Sequence, residues 1–272
     1  MNAPAASVAS SARRVAAMVL RYWYLLRSSW PRLLELIYWP AVQMMMWGFL
    51  QLYIANNAGF FARAGGTFIG AVLLWDILFR GQLGFSISFL EEMWARNMGN
   101  LMISPLRPLE FIAALMIMSI VRLAIGMVPV TLLALTFFDF NIYGFGLALA
   151  AFFMNLILTS WSIGILVSGI VLRNGLGAES MAWTIMFLLL PLTCVYYPVT
   201  TLPPALQIVA WALPPTYVFE GMRAALIAHA FRADLMLDAL AINAVYFAAA
   251  AFAFFALLGS SRRNGSLLQS GE

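Results

Sequence analysis

Few residues in this chain of 272 could do chemistry, and their types exclude more than they permit. All 15 basic side chains are arginine, so a phosphate-cradling loop that ends in Gly-Lys-Ser/Thr is impossible, as is Schiff-base catalysis by lysine. One cysteine, Cys194, and one histidine, His229, exclude a disulfide framework and a cysteine/histidine metal cluster built by this chain alone. What remains is a group of charges inside apolar sequence: Asp76 and Arg80, four residues apart, and Arg122. On a helix that spacing puts Asp76 and Arg80 on one face, where they can neutralise each other.

The elements that hold these charges are set by composition. The chain is 64% hydrophobic and 10% charged, with a mean hydropathy of +0.91. That leaves too little polar surface to coat a water-soluble body. The chain therefore reads as an all-α integral membrane protein. The basic pI, near 9.5, points to anionic lipid headgroups rather than nucleic acid, because most arginines flank apolar runs.

A bilayer core about 30 Å thick needs ~20 apolar residues per helical span. Long runs at 33–54, 67–90, 111–138, 145–172 and 235–258 qualify, and 181–197 is a shorter sixth without charge. Breakers separate them: Asn56, Asn57 and Gly59; Pro105 and Pro108; Asp139 and Asn141; Arg173, Asn174 and Gly175; then a proline-dense stretch from Pro198. Six transmembrane helices put both termini on one side, together with Arg13, Arg14, Arg21, Arg27, Arg32, Arg96, Arg107, Arg173, Arg262 and Arg263. Only Arg63, Arg223 and Arg232 fall on the other, so both termini are expected in the cytoplasm, with the spans in the plasma (inner) membrane. The domains follow: a tail and amphipathic interfacial helix at 1–32, one transmembrane domain at 33–258, and a second cytoplasmic tail at 259–272.

The first residues, small and polar, carry no basic region ahead of an apolar core, so they are not read as a signal peptide. Arg14 and Arg21 share a helical face, and Val15, Met18, Val19, Tyr22, Leu25 and Leu26 recur at spacings of three and four. This pattern suits a helix in the inner headgroup layer that ends near Pro31, and a cytosolic extension of the first span is the alternative. The loop 91–110 gathers Met93, Trp94, Asn97, Met98, Leu101 and Met102 at helical spacing. It fits either a short helix that plugs a partner's groove or an interfacial helix resting on lipid. At 198–231, prolines bracket the apolar stretch 205–213, which at about 14 Å is too short to cross. A re-entrant pair of half-helices is expected, buried in protein or facing a water-filled cavity.

Two of these regions carry a resemblance. Glu91, Glu92, Gly99, Leu101, Ser104, Pro105 and Leu106 resemble the coupling segment in permease subunits of type-2 ATP-binding-cassette exporters. The run from Tyr197 and Pro198 through Pro203, Pro204 and Gln207, then Pro214, Pro215, Glu220 and Arg223, is similar to that family's outer gate. Asn100 and Met102 stand where the family often has an acidic neighbour of the coupling leucine, and Cys194 and Val195 replace a frequent glycine or serine. The resemblance implies ATPase-coupling roles for Glu91, Glu92, Trp94, Arg96, Gly99, Leu101, Ser104 and Pro105. It further implies a dimer with itself or a related permease, no cofactor in this chain, and ATP and magnesium held by a separate ATPase subunit. The substrate classes it brings are amphiphiles, lipids and lipid-linked saccharides, and no appended carbohydrate-binding domain is seen in the sequence.

Counted from the inner helix ends, Arg80 lies about 15 Å deep, Arg122 about 17 Å and Asp76 about 21 Å. Arg122 is therefore expected within reach of the Asp76 carboxylate. The cluster reads as an internal clamp, with Glu35 or water completing it, or as part of the substrate path. Ser160, Gly164 and Ser168, like Gly66 and Gly70, read as close helix packing, and Pro129 beside Gly126 as a kink. Glu220 and Arg223 read as a surface pair, and His229 as interfacial. Other function classes are a lipid-modifying membrane enzyme, for which convergent acid–base groups are lacking, and a passive channel subunit, which leaves the 91–110 loop unexplained.

Overall fold

The computed structural model describes residues 3–57 and 67–264. Gly59, Arg63 and Gly66, with the end of the C-terminal tail, lie outside the described residues, as does the side chain of Arg262. The described residues form helices joined by turns and contain no strand. In chain order these are α1 (Ala3–Arg27), α2 (Trp30–Asn57), α3 (Thr67–Trp94), α4 (Met98–Ile103), α5 (Pro108–Phe138), α6 (Leu147–Asn174), α7 (Met181–Leu192), α8 (Pro204–Trp211), α9 (Pro214–Ile227) and α10 (Ala233–Asn264). Prolines open α2, α5, α8 and α9, where the missing N–H costs no helical hydrogen bond. Pro31 thus starts α2 instead of ending α1, which stops at Arg27.

Among the described residues, five helices are long and apolar enough to cross a membrane: Trp30–Ile54, Thr67–Trp94, Pro108–Phe138, Leu147–Asn174 and Ala233–Ser261. The sixth expected span is different. Its helix, Met181–Leu192, has 12 residues and is about 18 Å long, short of the ~30 Å core. Pro191 sits in its last turn, and Cys194 adopts a left-handed backbone (φ 54°) that ends the helix. The chain still traverses the bundle across α7–α9. It starts beside Trp94, whose Nε1 donates to Glu179 (2.8 Å), and reaches Leu226 at the opposite end, against Gly70.

α3 is the axis. In its most apolar stretch 78% of residues are buried, against 17% in those of α2 and α10, and α2, α5, α6, α7 and α9 all pack on it. Small residues permit that density. A Cβ at Gly84 would lie 3.1 Å from Ser119 Cα of α5, and one at Gly164 of α6 would lie 2.8 Å from the Phe85 ring. The Ser160, Gly164 and Ser168 ladder is therefore a packing face, and Ser160 Oγ donates to the Leu78 carbonyl of α3 (2.8 Å). Around Pro129, α5 comes within backbone range of α2, where a Cβ at Gly126 would meet the Leu36 carbonyl at 2.8 Å.

α10 is fixed to α6 by a buried amide network. Asn243 Nδ2 donates to the Asn155 carbonyl (3.0 Å), and Thr159 Oγ1 donates to Asn243 Oδ1 (2.7 Å). Replacing Asn243 with leucine strands these groups in an apolar layer. Asn243→Leu is expected to cost about 1–2 kcal/mol, read as a lowered thermal midpoint in detergent, with helix content unchanged.

Candidate functional site

The last turn of α3 ends in two adjacent carboxylates, Glu91 and Glu92, both buried. Neighbouring residues of a helix point about 100° apart, so the two acids address different partners. Glu91 accepts from Arg122 Nη2 of α5 at both oxygens (2.9 Å each) and from Arg32 Nη1 of α2 (3.2 Å). Glu92 accepts from Arg21 of α1 and from Asn97 Nδ2 (2.7 Å). One helical layer away, Glu110 of α5 accepts from Arg14 Nε (2.8 Å) and Nη2 (2.6 Å), from Ser11, and from the Arg107 N–H (3.0 Å). That last bond closes a capping box over the start of α5. Four arginines from α1, α2 and α5 thus meet three carboxylates, tying α1, α2 and α5 together at the tip of α3.

α1 reaches the site through its amphipathic pattern. Arg14 and Arg21 stand two turns apart, and Met18, Tyr22 and Leu26 form the buried stripe between and beyond them. The expectation that both arginines face headgroups is corrected: they turn inward to Glu110 and Glu92. Trp23, Tyr24 and Leu20 occupy the outer face instead. Burial, then the nearby Glu92 charge, pushes the Tyr22 phenol well above its ordinary range, so it stays protonated.

Beyond Trp94 the chain breaks. Arg96 takes a left-handed backbone (φ 53°), and the Asn97 N–H returns to the Glu92 carbonyl (2.9 Å), closing the helix. The helical run expected from Met93 to Met102 is therefore two pieces, α3 and the short α4. Met98 and Leu101 pack inward on Phe111 and the α1 stripe, while Gly99 is half-buried. Ser104 Oγ donates to the Leu101 carbonyl (2.7 Å) and shapes the turn into Pro105. The outward face consists of Trp94, Arg96, Asn100, Ile103, Pro105 and Arg107, with Ile103 85% exposed. The residues matched to the coupling motif thus split: Glu91, Glu92 and Leu101 anchor the segment, and Trp94, Arg96 and Pro105 present it.

The intramembrane cluster is corrected as well. Asp76 pairs with Arg80 (Nε to Oδ1, 3.4 Å), but Arg122 goes to Glu91 and not to Asp76. The cause is direction. Helical Cβ atoms lean toward the N-terminus, so Arg122 on α5 leans toward the Glu110 end, where Glu91 lies. On the antiparallel α3, Asp76 leans the opposite way. Arg80 and Leu36, the neighbour on α2 of the Glu35 offered as a completing carboxylate, both lie beside Gly126 of α5.

At the far end, Glu220 and Arg223 of α9 are not a surface pair. Arg223 Nη1 donates to the carbonyls of Cys194 (2.9 Å) and Val195 (3.3 Å), while its Nη2 meets Glu220 Oε1 (2.9 Å). Glu220 Oε1 also accepts from the Val199 N–H (2.8 Å), and Tyr197 Oη donates to the Pro191 carbonyl (2.6 Å). Pro198 and Pro203 hold extended backbone on either side of a short 3-10 turn, Pro204 starts α8, and Pro214 and Pro215 start α9. The expected pair of short helices is present: α8 and α9 are about 12 and 21 Å long, and α9 is buried against α3, α6 and α10. His229 is exposed with a left-handed backbone (φ 49°) just past α9.

Removing Arg122 alone would leave Glu91 buried with only Arg32 to face it. Arg122→Met is expected to lower stability by about 3–5 kcal/mol, and pairing it with Glu91→Gln should recover most of that loss. A double-mutant cycle on thermal unfolding in detergent tests this. Additive losses would show that the two groups are not coupled.

A search among curated proteins finds no match. The family model for the membrane domain of ABC-2 type transporters, by contrast, matches residues 17–227, from the α1 stripe through α9. That stretch contains the charged tip of α3, the broken segment after it and the α8–α9 pair, leaving only α10 and the chain ends outside. An all-helical, multi-pass membrane protein in which the match covers most of the chain, this permease subunit belongs to the ABC-2 type transporter family.

Proposed function

We propose that this chain is the membrane-spanning half of an ATP-driven exporter, with two copies, or one copy and a related permease, enclosing the substrate path. ATP and magnesium are held by a separate cytosolic ATPase, and both termini lie on that side, in the plasma (inner) membrane. The substrate is an amphiphile, a lipid or a lipid-linked saccharide. The short α7 and the α8–α9 pair together make the sixth passage and the outer gate.

The observation that supports this reading most is the construction of the 94–107 segment. Its outward face carries Trp94, Ile103 and Pro105 in the open, whereas its roots, Glu91 and Glu92, are ion-paired to α1, α2 and α5. A surface patch held this firmly passes a push to several helices at once. An isolated interfacial helix resting on lipid needs no such anchoring. ATP then drives the switch through its different affinity for the two arrangements of the partner ATPase.

The test uses the permease purified together with its ATPase. Ile103→Asp places a charge at the centre of the exposed face without touching the core, and should weaken association by about tenfold. ATP hydrolysis by the complex should fall, with thermal stability of the permease unchanged. Full ATPase activity in the variant, or conversion of a lipid by the permease alone without nucleotide, overturns the reading.

A further inference from the structure

α5 and α6 both pack along α3 but hardly touch each other, so they diverge and leave a wedge between them. The wedge is a cavity of about 490 Å³, floored by Ile77 of α3 and walled by Leu123 and Ala124 of α5 and by Ala150 and Phe153 of α6. Its volume falls in the ~300–1,000 Å³ range of sites that enclose small ligands. Both ends are closed by hydrogen bonds. At one end Trp161 Nε1 of α6 donates to Ser119 Oγ of α5 (2.8 Å), and at the other Thr131 Oγ1 and Tyr143 Oη lie 3.2 Å apart.

We infer that this wedge is a binding site for one acyl chain of a membrane glycerolipid, drawn from the leaflet on the α5–α6 connection side. Length selects this occupant. From Ile120 to Thr131 the lining of α5 rises about 16 Å, half of the ~30 Å hydrocarbon thickness and so the depth of one leaflet. Polarity agrees with the length. The walls are apolar, and the polar groups stand at the end nearest the α5–α6 connection, where Tyr143 is exposed and Asn141 Oδ1 accepts from its N–H (3.0 Å). Tyrosine and asparagine at that level suit the glycerol and ester groups, as aromatic residues do at membrane interfaces. Access is from the side, because Ala124, Ala150 and Met154 are all exposed along the lipid-facing seam.

The site does not depend on ATPase coupling, so it stands or falls apart from the proposed function. The full chain, reconstituted in vesicles that contain phosphatidylcholine with a diazirine on its acyl chain, is irradiated and the labelled peptides are mapped. Labelling is expected to concentrate on 120–131 and 149–154. Ala124→Trp and Ala150→Trp fill the wedge from exposed positions and should each abolish that concentration, while Ala248→Trp, on the exposed face of α10, should not. Labelling spread evenly over the exposed faces of α2 and α10 overturns the inference. So does labelling of the wedge that persists in both tryptophan variants with thermal stability intact.

Discussion

Everything at one end of the molecule depends on a charge that has no water to solvate it. Glu91 and Glu92 are buried at the tip of the most enclosed helix, and a buried carboxylate is tolerable only when paired and hydrogen-bonded. Arg122, Arg32 and Arg21 meet that requirement, and in doing so they fix where α1, α2 and α5 sit. The pairs owe their value less to net stability than to the penalty of taking one member away. Such an arrangement favours motion of the linked helices together over motion of any one of them.

The opposite end solves a different problem with the same chemistry. Between α7 and α8 the backbone is irregular, and its carbonyls and N–H groups would be costly in an apolar setting without partners. Arg223 supplies donors to two of those carbonyls, and Glu220 supplies an acceptor to Val199 N–H. A single pair on α9 therefore holds the irregular stretch between α7 and α8. In a permease subunit this places charge-assisted contacts at both extremities and leaves the middle to packing, apart from Asp76 and Arg80.

The middle is held by shape. Gly84 and Gly164 let α5 and α6 approach α3, and the polar bonds of Asn155, Thr159 and Asn243 fix α10 to α6. Because α5 and α6 are each fitted to α3 and not to each other, a wedge between them is a geometric consequence of the axis. Lateral openings of this kind let lipid enter the packing of the protein, so the solvent of the spans becomes a component of the structure.

Apolar run length by itself determined the class, five of the spans and the two irregular regions, since hydrocarbon thickness and proline chemistry act locally on sequence. The Asp76–Arg80 pair was also legible, because spacing of four within one helix needs no knowledge of neighbours. Depth counted from the helix ends puts Arg122 near Asp76, but in the fold it lies level with Gly84, about midway between Asp76 and Glu91, and the lean of Cβ atoms on antiparallel helices favours Glu91. That signal was present once helix directions were known. Arg14, Arg21, Arg32 and Glu110 were not read as a site, because basic residues near a helix end look alike whether they face headgroups or carboxylates. Only tertiary structure decided that question, along with the backbone partners of the half-buried Glu220 and Arg223 and the wedge beside α3. Those features arise from contacts between segments far apart in the chain, and no local pattern records which faces meet.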